Sequence, residues 1–102
     1  KAALQTDYKP EVAQVGDIKQ EPGLVDICSP MVGVFYSAPA ENAAPFVQVG
    51  DSVKKGDVLC IIEAMKLMNE ITADQDGVIA EVCVGNAQIV DFGHVLFRLR
   101  KN

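Results

Sequence analysis

Residues that carry chemistry are scarce in this chain. His94 is the only histidine, the cysteines Cys28, Cys60 and Cys83 stand far apart, and no basic cluster exceeds the tail Arg98, Arg100, Lys101. Each scarcity removes a class of function. A single histidine with no cysteine or carboxylate at ligand spacing builds neither a metal centre nor a nucleophile–base pair. A solvated loop position is therefore expected for His94, and no metal site or catalytic group is expected anywhere. Nine basic residues against 14 acidic ones, a net charge of −5, leave no electrostatic footprint for nucleic acid. Three cysteines, odd in number and set among Val, Leu and Ile, favour reduced core thiols over a disulfide frame. No apolar run approaches the roughly 20 residues that span a bilayer, and no signal-peptide pattern opens the chain. The expectation is a soluble, cytoplasmic protein without a membrane partner. Lys in place of a starting Met leads us to expect a piece of something longer.

What is present reads as one small domain: 102 residues hold a single core. Residues 1–23 mix charge, Gln, Pro and Gly with scattered Val and Ile, which predicts a flexible linker or tail. From 24 to 102 the texture changes to short apolar runs broken by Gly, Pro, Asp and Asn: "VDIC", "MVGVFY", "VLCII", "LMNEIT", "GVIAEVCV" and "VLFRLR". Runs of this length rich in Val and Ile predict a compact all-β fold.

Two stretches resemble each other. "VGDSVKKGDVLCII" from Val49 parallels "VGNAQIVDFGHVLFRL" from Val84, and "GVFYS" from Gly33 parallels "GVIAE" from Gly77. Two β halves therefore flank the segment "EAMKLMNE" (Glu63 to Glu70). Aligning the VG pairs gives 17 positions from Gly33 to Gly50 against 8 from Gly77 to Gly85, so the first half carries 9 extra residues. Ser37, Ala38, Pro39, Ala40, Glu41, Asn42, Ala43, Ala44 and Pro45 have no strand character and are the natural insertion. An ordinary surface loop is one reading of them; a projection beside a functional point is the other. Gly33, Gly50, Gly56, Gly77, Gly85 and Gly93 are read as turn and bulge residues.

Lys66 stands alone among apolar neighbours. By periodicity Val58 to Ile71 is equally an amphipathic helix, with Lys66 paired to Glu63 and Glu70, or two strands with a turn. The repeat favours strands, because the second copy, "GHVLFRL", ends near the chain terminus at strand length. The reversal then falls on Met65-Lys66, a poor choice where Gly, Asn or Asp is preferred. Broken local preferences cluster at functional sites. A Schiff-base lysine needs burial or a neighbouring cation to lower its pKa from about 10.4, and two glutamates supply neither. A lysine that is itself modified needs only reach and a geometry another enzyme can recognise.

"EAMKLMNEI", with "SPMVGVFY" before it and "GNAQIVDFG" after it, resembles the biotinyl domains of the biotin and lipoyl attachment family over roughly Val25 to Leu99. Within that family the three blocks together resemble the carriers of bacterial or plastid acetyl-CoA carboxylase. The resemblance implies a flattened barrel of two four-stranded antiparallel sheets with quasi-twofold symmetry, and Lys66 on a hairpin. It implies covalent biotin on Lys66, added by a biotin protein ligase that recognises Ala64, Met65, Leu67 and Met68. Biotin carboxylase and a carboxyltransferase would be the partners, in the cytoplasm or a plastid stroma, with malonyl-CoA for fatty acid synthesis as the product. The domain itself would be a non-catalytic carrier, monomeric when isolated and oligomeric in the full-length protein. Residues 37–45 resemble the projecting thumb of those carriers in place and length. Barrel-end filling is the competing role for Met65 and Met68. Ile89 departs from the pattern, where many relatives have Pro. Three rivals stand beside this reading: a lipoyl carrier, disfavoured by Met65 where Asp is usual; a biotinyl domain of another carboxylase or decarboxylase; and a plain interaction domain with Lys66 as a surface charge.

Overall fold

The computed structural model describes residues 23–101. The linker expected over 1–23 lies, apart from Gly23, outside the described residues. Eight strands follow one another: β1 (Leu24–Cys28), β2 (Gly33–Tyr36), β3 (Ser52–Val53), β4 (Val58–Ala64), β5 (Leu67–Thr72), β6 (Gly77–Val82), β7 (Ile89–Val90) and β8 (Val95–Arg100). They form two four-stranded sheets, ordered β1-β8-β6-β3 and β5-β4-β2-β7, with every pair antiparallel. The expected all-β, two-sheet barrel is what the chain adopts.

Exchanging β1 with β5, β8 with β4, β6 with β2 and β3 with β7 turns one sheet order into the other. Hydrogen bonds show the same duplication. Gly50 N donates to Ile79 O and Ile79 N to Asp51 O; in the other half Ala87 N donates to Phe35 O and Phe35 N to Gln88 O. The counterpart of Gly50 is thus Ala87, two residues beyond the Gly85 that the VG alignment selects. From there on each residue finds its mate 37 positions along, through Gly56/Gly93 to Ile62/Leu99. Before the thumb the offset is 44, from Gly33 to Gly77. By this register the first half is seven residues longer than the second, not nine. The misalignment arises because the second VG precedes a turn with its own left-handed residue, Ala87 at φ 70°.

Bulges in both halves build the core. Leu59 is the extra residue of β4 against β5, and Leu96, its mate, is the extra residue of β8 against β1. A bulge lets two consecutive side chains turn inward, so Leu59 with Cys60, and Leu96 with Phe97, are all buried. Phe35 and Phe97 meet at the centre, ring centroids 6.0 Å apart and tilted by 52°. Such tilted aromatic pairs add about 0.5–1.5 kcal/mol beyond their burial.

Three expectations change. Of the cysteines only Cys60 is buried; Cys83 is half-buried and Cys28, the outward-facing residue after buried Ile27 in β1, is exposed. Gly33 and Gly77 serve neither turn nor bulge. A Cβ on Gly33 would strike Glu63 O and Ile62 Cγ2, and one on Gly77 would lie 2.7 Å from Arg100 O. His94 is half-buried in the turn before β8, its carbonyl accepting Ser29 N at 2.8 Å.

Candidate functional site

Ala64 and Leu67 are cross-strand partners, so the chain reverses on Met65 and Lys66 alone. Both have positive φ, 53° and 66°, as the two-residue type I′ hairpin turn demands. For residues with a Cβ this region costs about 1–2 kcal/mol each. Packing returns nothing, since Met65 is 93% exposed; it does not fill the barrel end. What the turn accomplishes is projection of Lys66 into solvent.

The helical alternative for Val58 to Ile71 falls with this geometry. Among the described residues no carboxylate pairs with Lys66. Glu63 faces Val34 and Met68 across its two neighbouring strands and accepts the Tyr36 hydroxyl at 3.2 Å. That bond, with partial burial and the nearby carboxylate charge, raises the Tyr36 hydroxyl above its ordinary value of 10.0. Glu70 lies across from Ile61. Asn69 Nδ2 donates to Ile62 O at 3.2 Å and to Leu67 O at 3.3 Å, bracing the tip from one side.

The loop Ser37–Pro45 rises beside this hairpin. It leaves the end of β2 and returns at once, with Phe46 N donating to Ser37 O at 2.8 Å. Within it Ala43 N donates to Ala40 O at 3.2 Å, and Asn42 takes φ 67°. A cavity of about 430 Å³ separates the loop from Tyr36, Ile61 and Met68, with Asn86 and Ala87 closing one side. Met68 lines it though 61% exposed. Hairpin and loop, distant in sequence, therefore share one concavity. Ala64, Met65 and Leu67 surround the lysine but do not line it.

Sequence reasoning missed Tyr36, Asn69 and Asn86. Asn69 lies inside "EAMKLMNE" and Asn86 inside "GNAQ", and no local pattern marks either as a contact residue. Ile89 pairs with Val34 on the edge strand β7 and is 71% exposed, a position where a different residue disturbs little.

A small duplicated barrel that holds one lysine out on a strained hairpin is built as a carrier, presenting an amine rather than surrounding a substrate. The family model described as "Biotin-requiring enzyme" matches residues 25–99, and the chain belongs to that family. It is 51% identical over 77 residues to the biotin carboxyl carrier protein of acetyl-CoA carboxylase from Nostoc sp., covering 76% of this chain and 42% of the relative. With the protein of the same description from Pseudomonas aeruginosa it shares 55% identity over 71 residues, 70% of this chain and 46% of the relative. With the chloroplastic one from Glycine max it shares 58% over 69 residues, 68% and 26%. The chain thus spans less than half the length of each. Among solved structures, a single-chain, multi-domain long-chain acyl-CoA carboxylase superposes with TM-score 0.71 at 20% identity, over 83% of this chain and 8% of that one. Kluyveromyces lactis urea carboxylase does so with TM-score 0.66 at 26% identity, over 79% and 6%. The first of these likenesses speaks to the fold alone.

Proposed function

We propose that Lys66 carries biotin in amide linkage and that this chain is the biotin-bearing part of an acetyl-CoA carboxylase carrier. The observation that carries the reading is the Met65-Lys66 turn: two left-handed residues with side chains that the fold does not need, inside a chain of this family. The residues present suit the group. The Lys66 amine is exposed and unpaired, and Met68, two residues on, lines a cavity of about 430 Å³, within the range of small-ligand sites. When bound, the group supplies a ureido nitrogen that accepts a carboxyl unit in one active site and gives it up to acetyl-CoA in another.

The chain's own residues do the rest. Lys66, as the neutral amine, attacks the activated carboxyl of biotin on a ligase; a C–N bond forms, the activating group leaves and a proton is lost. Met65, Leu67 and Met68 offer that ligase an exposed frame with half-buried Ala64 at its base, and Met65 is the one that protrudes. Attachment removes one positive charge. The thumb, residues 37–45, with Ile61 and Met68, gives the carried ring an apolar resting place between transfers. Tethering to one chain keeps the reactive group at high effective concentration near both active sites. Biotin carboxylase and a carboxyltransferase are then the partners, and malonyl-CoA the product. The names of the relatives, carriers of acetyl-CoA carboxylase, support the carboxylase assigned, and one of them is chloroplastic.

The test is intact mass and peptide mapping after incubation with biotin protein ligase, ATP and biotin, with Lys66→Arg alongside. One biotinyl group on Lys66, absent from the variant, is the expected result; an unmodified, folded domain refutes the reading. Malonyl-CoA formation by the loaded chain with the two partner enzymes then tests the carboxylase assigned to it.

A further inference from the structure

Asn86 reaches from one half of the barrel into the other. Its Oδ1 accepts two hydrogen bonds from Ser37, from N at 2.9 Å and from Oγ at 3.2 Å. A backbone N–H can only donate, so the carboxamide must present its oxygen to Ser37. The backbone bonds that tie the same loop to Phe35 recur in the other half between Gly50, Asp51 and Ile79. The Asn86 bonds do not recur. At the equivalent place stands Val49, an exposed apolar residue. The contact is therefore an addition to the repeated frame, made where the thumb begins.

Ser37 is the first residue of the thumb, and its carbonyl accepts Phe46 N where the loop returns. Both roots of the loop thus converge on one residue, and Asn86 holds that residue. Further out, the thumb has a single internal backbone bond, Ala43 N to Ala40 O at 3.2 Å, too little to fix its inclination. The angle at which the loop leans over Ile61 and Met68 is decided at the root. Ser37 and Asn86 themselves line the cavity.

We propose that Asn86 is a positioning residue for the cavity under the thumb: by gripping Ser37 it sets the inclination of the loop and so how closely the thumb shelters the group carried on Lys66. The identity of that group rests on the function proposed above; the grip itself does not.

Amide hydrogen exchange on the full 102-residue chain, unmodified and biotinylated, tests this with Asn86→Ala and Asn86→Asp. Alanine removes the acceptor, whereas aspartate keeps an oxygen facing Ser37. In the unmodified Asn86→Ala chain the amides of Ser37, Ala43 and Phe46 are expected to exchange on the order of tenfold faster, with those of Phe35 and Ile62 unchanged. Asn86→Asp should restore the slow rates. Biotinylation should slow exchange in the thumb of the wild-type chain, and at least half of that slowing should vanish in Asn86→Ala. Unchanged thumb rates in Asn86→Ala, or no recovery in Asn86→Asp, overturn the grip. A loosened thumb that keeps the full biotin-dependent slowing makes Asn86 merely structural and overturns the positioning role. If the ligase leaves wild-type Lys66 unmodified, the carrier reading fails, and the unmodified chains still decide the grip.

Discussion

The strand pairs β4–β5 and β8–β1 are the same structure built twice. In the first, Met65 and Lys66 join the strands; in the second, β1 and β8 stand at opposite ends of the described residues, and Lys101 N reaches Gly23 O at 3.0 Å between them. A second contrast accompanies it. The β6–β7 connection is short, while its counterpart between β2 and β3 carries the thumb. What the halves share is frame: Gly33 and Gly77 against a neighbouring carbonyl, Leu59 and Leu96 as bulge residues. Where they differ, at the hairpin tip and the thumb, the candidate site stands. Duplication thus separates residues chosen for folding from residues chosen for something else.

The sharpest way to break this comparison is in the core, where the mates are unequal. Phe97→Ala should cost about 3–5 kcal/mol, whereas Cys60→Ala at the equivalent position should cost under about 2 kcal/mol; urea midpoints read both. Equal losses would show that the two halves do not divide the core as described. Next, Gly33→Ala and Gly77→Ala should destabilise alike, by about 1–3 kcal/mol each, because each pushes a methyl into a carbonyl across the sheet. A harmless result at either would remove it from the shared frame.

Alkaline pH probes an asymmetry of chemistry. Burial pushes the Cys60 thiol up to about 12, from an ordinary value of 9.0, while Phe97, its mate in the repeat, has nothing to titrate. The raised value means that this thiol's contribution is complete below about pH 9 and is lost as pH climbs toward 12. At pH 10 the loss should be about 1 kcal/mol. Cys60→Ala should flatten that part of the profile; a profile identical in variant and wild type would refute the assignment. The smallest effect expected is a gain. Met65→Gly relieves one left-handed side chain and should stabilise the domain by about 1 kcal/mol, while slowing biotin attachment to Lys66. Lost stability would mean that Met65 serves the frame after all.

Much of this was legible in the sequence. Short apolar runs predicted strands, and the similarity of the two halves predicted a duplicated β domain and a turn at Met65-Lys66, while the barrel itself was implied by the family resemblance. Periodicity alone could not decide between hairpin and helix, because β4 has bulge residues Leu59 and Cys60 side by side and so loses strict alternation. The apolar company of Cys28 hid its exposure, which follows from plain alternation in β1 after buried Ile27. The register of the repeat slipped by two because glycine at 85 and the left-handed Ala87 share one turn. Contacts such as Tyr36–Glu63 and Ser37–Asn86 depend on which strands become neighbours, and no local pattern announces them.

The closed root of the thumb has an evolutionary consequence. Ser37 and Phe46 are joined by one hydrogen bond, so the barrel meets the loop as two touching ends, whatever lies between. Doubling such a loop costs only about 0.6 kcal/mol in closure entropy, and no strand changes register when it grows or shrinks. Length and wording here are free to drift between lineages while the barrel stays fixed. A single insertion or deletion can therefore reshape the wall that faces Ile61 and Met68 without rebuilding the barrel beneath it.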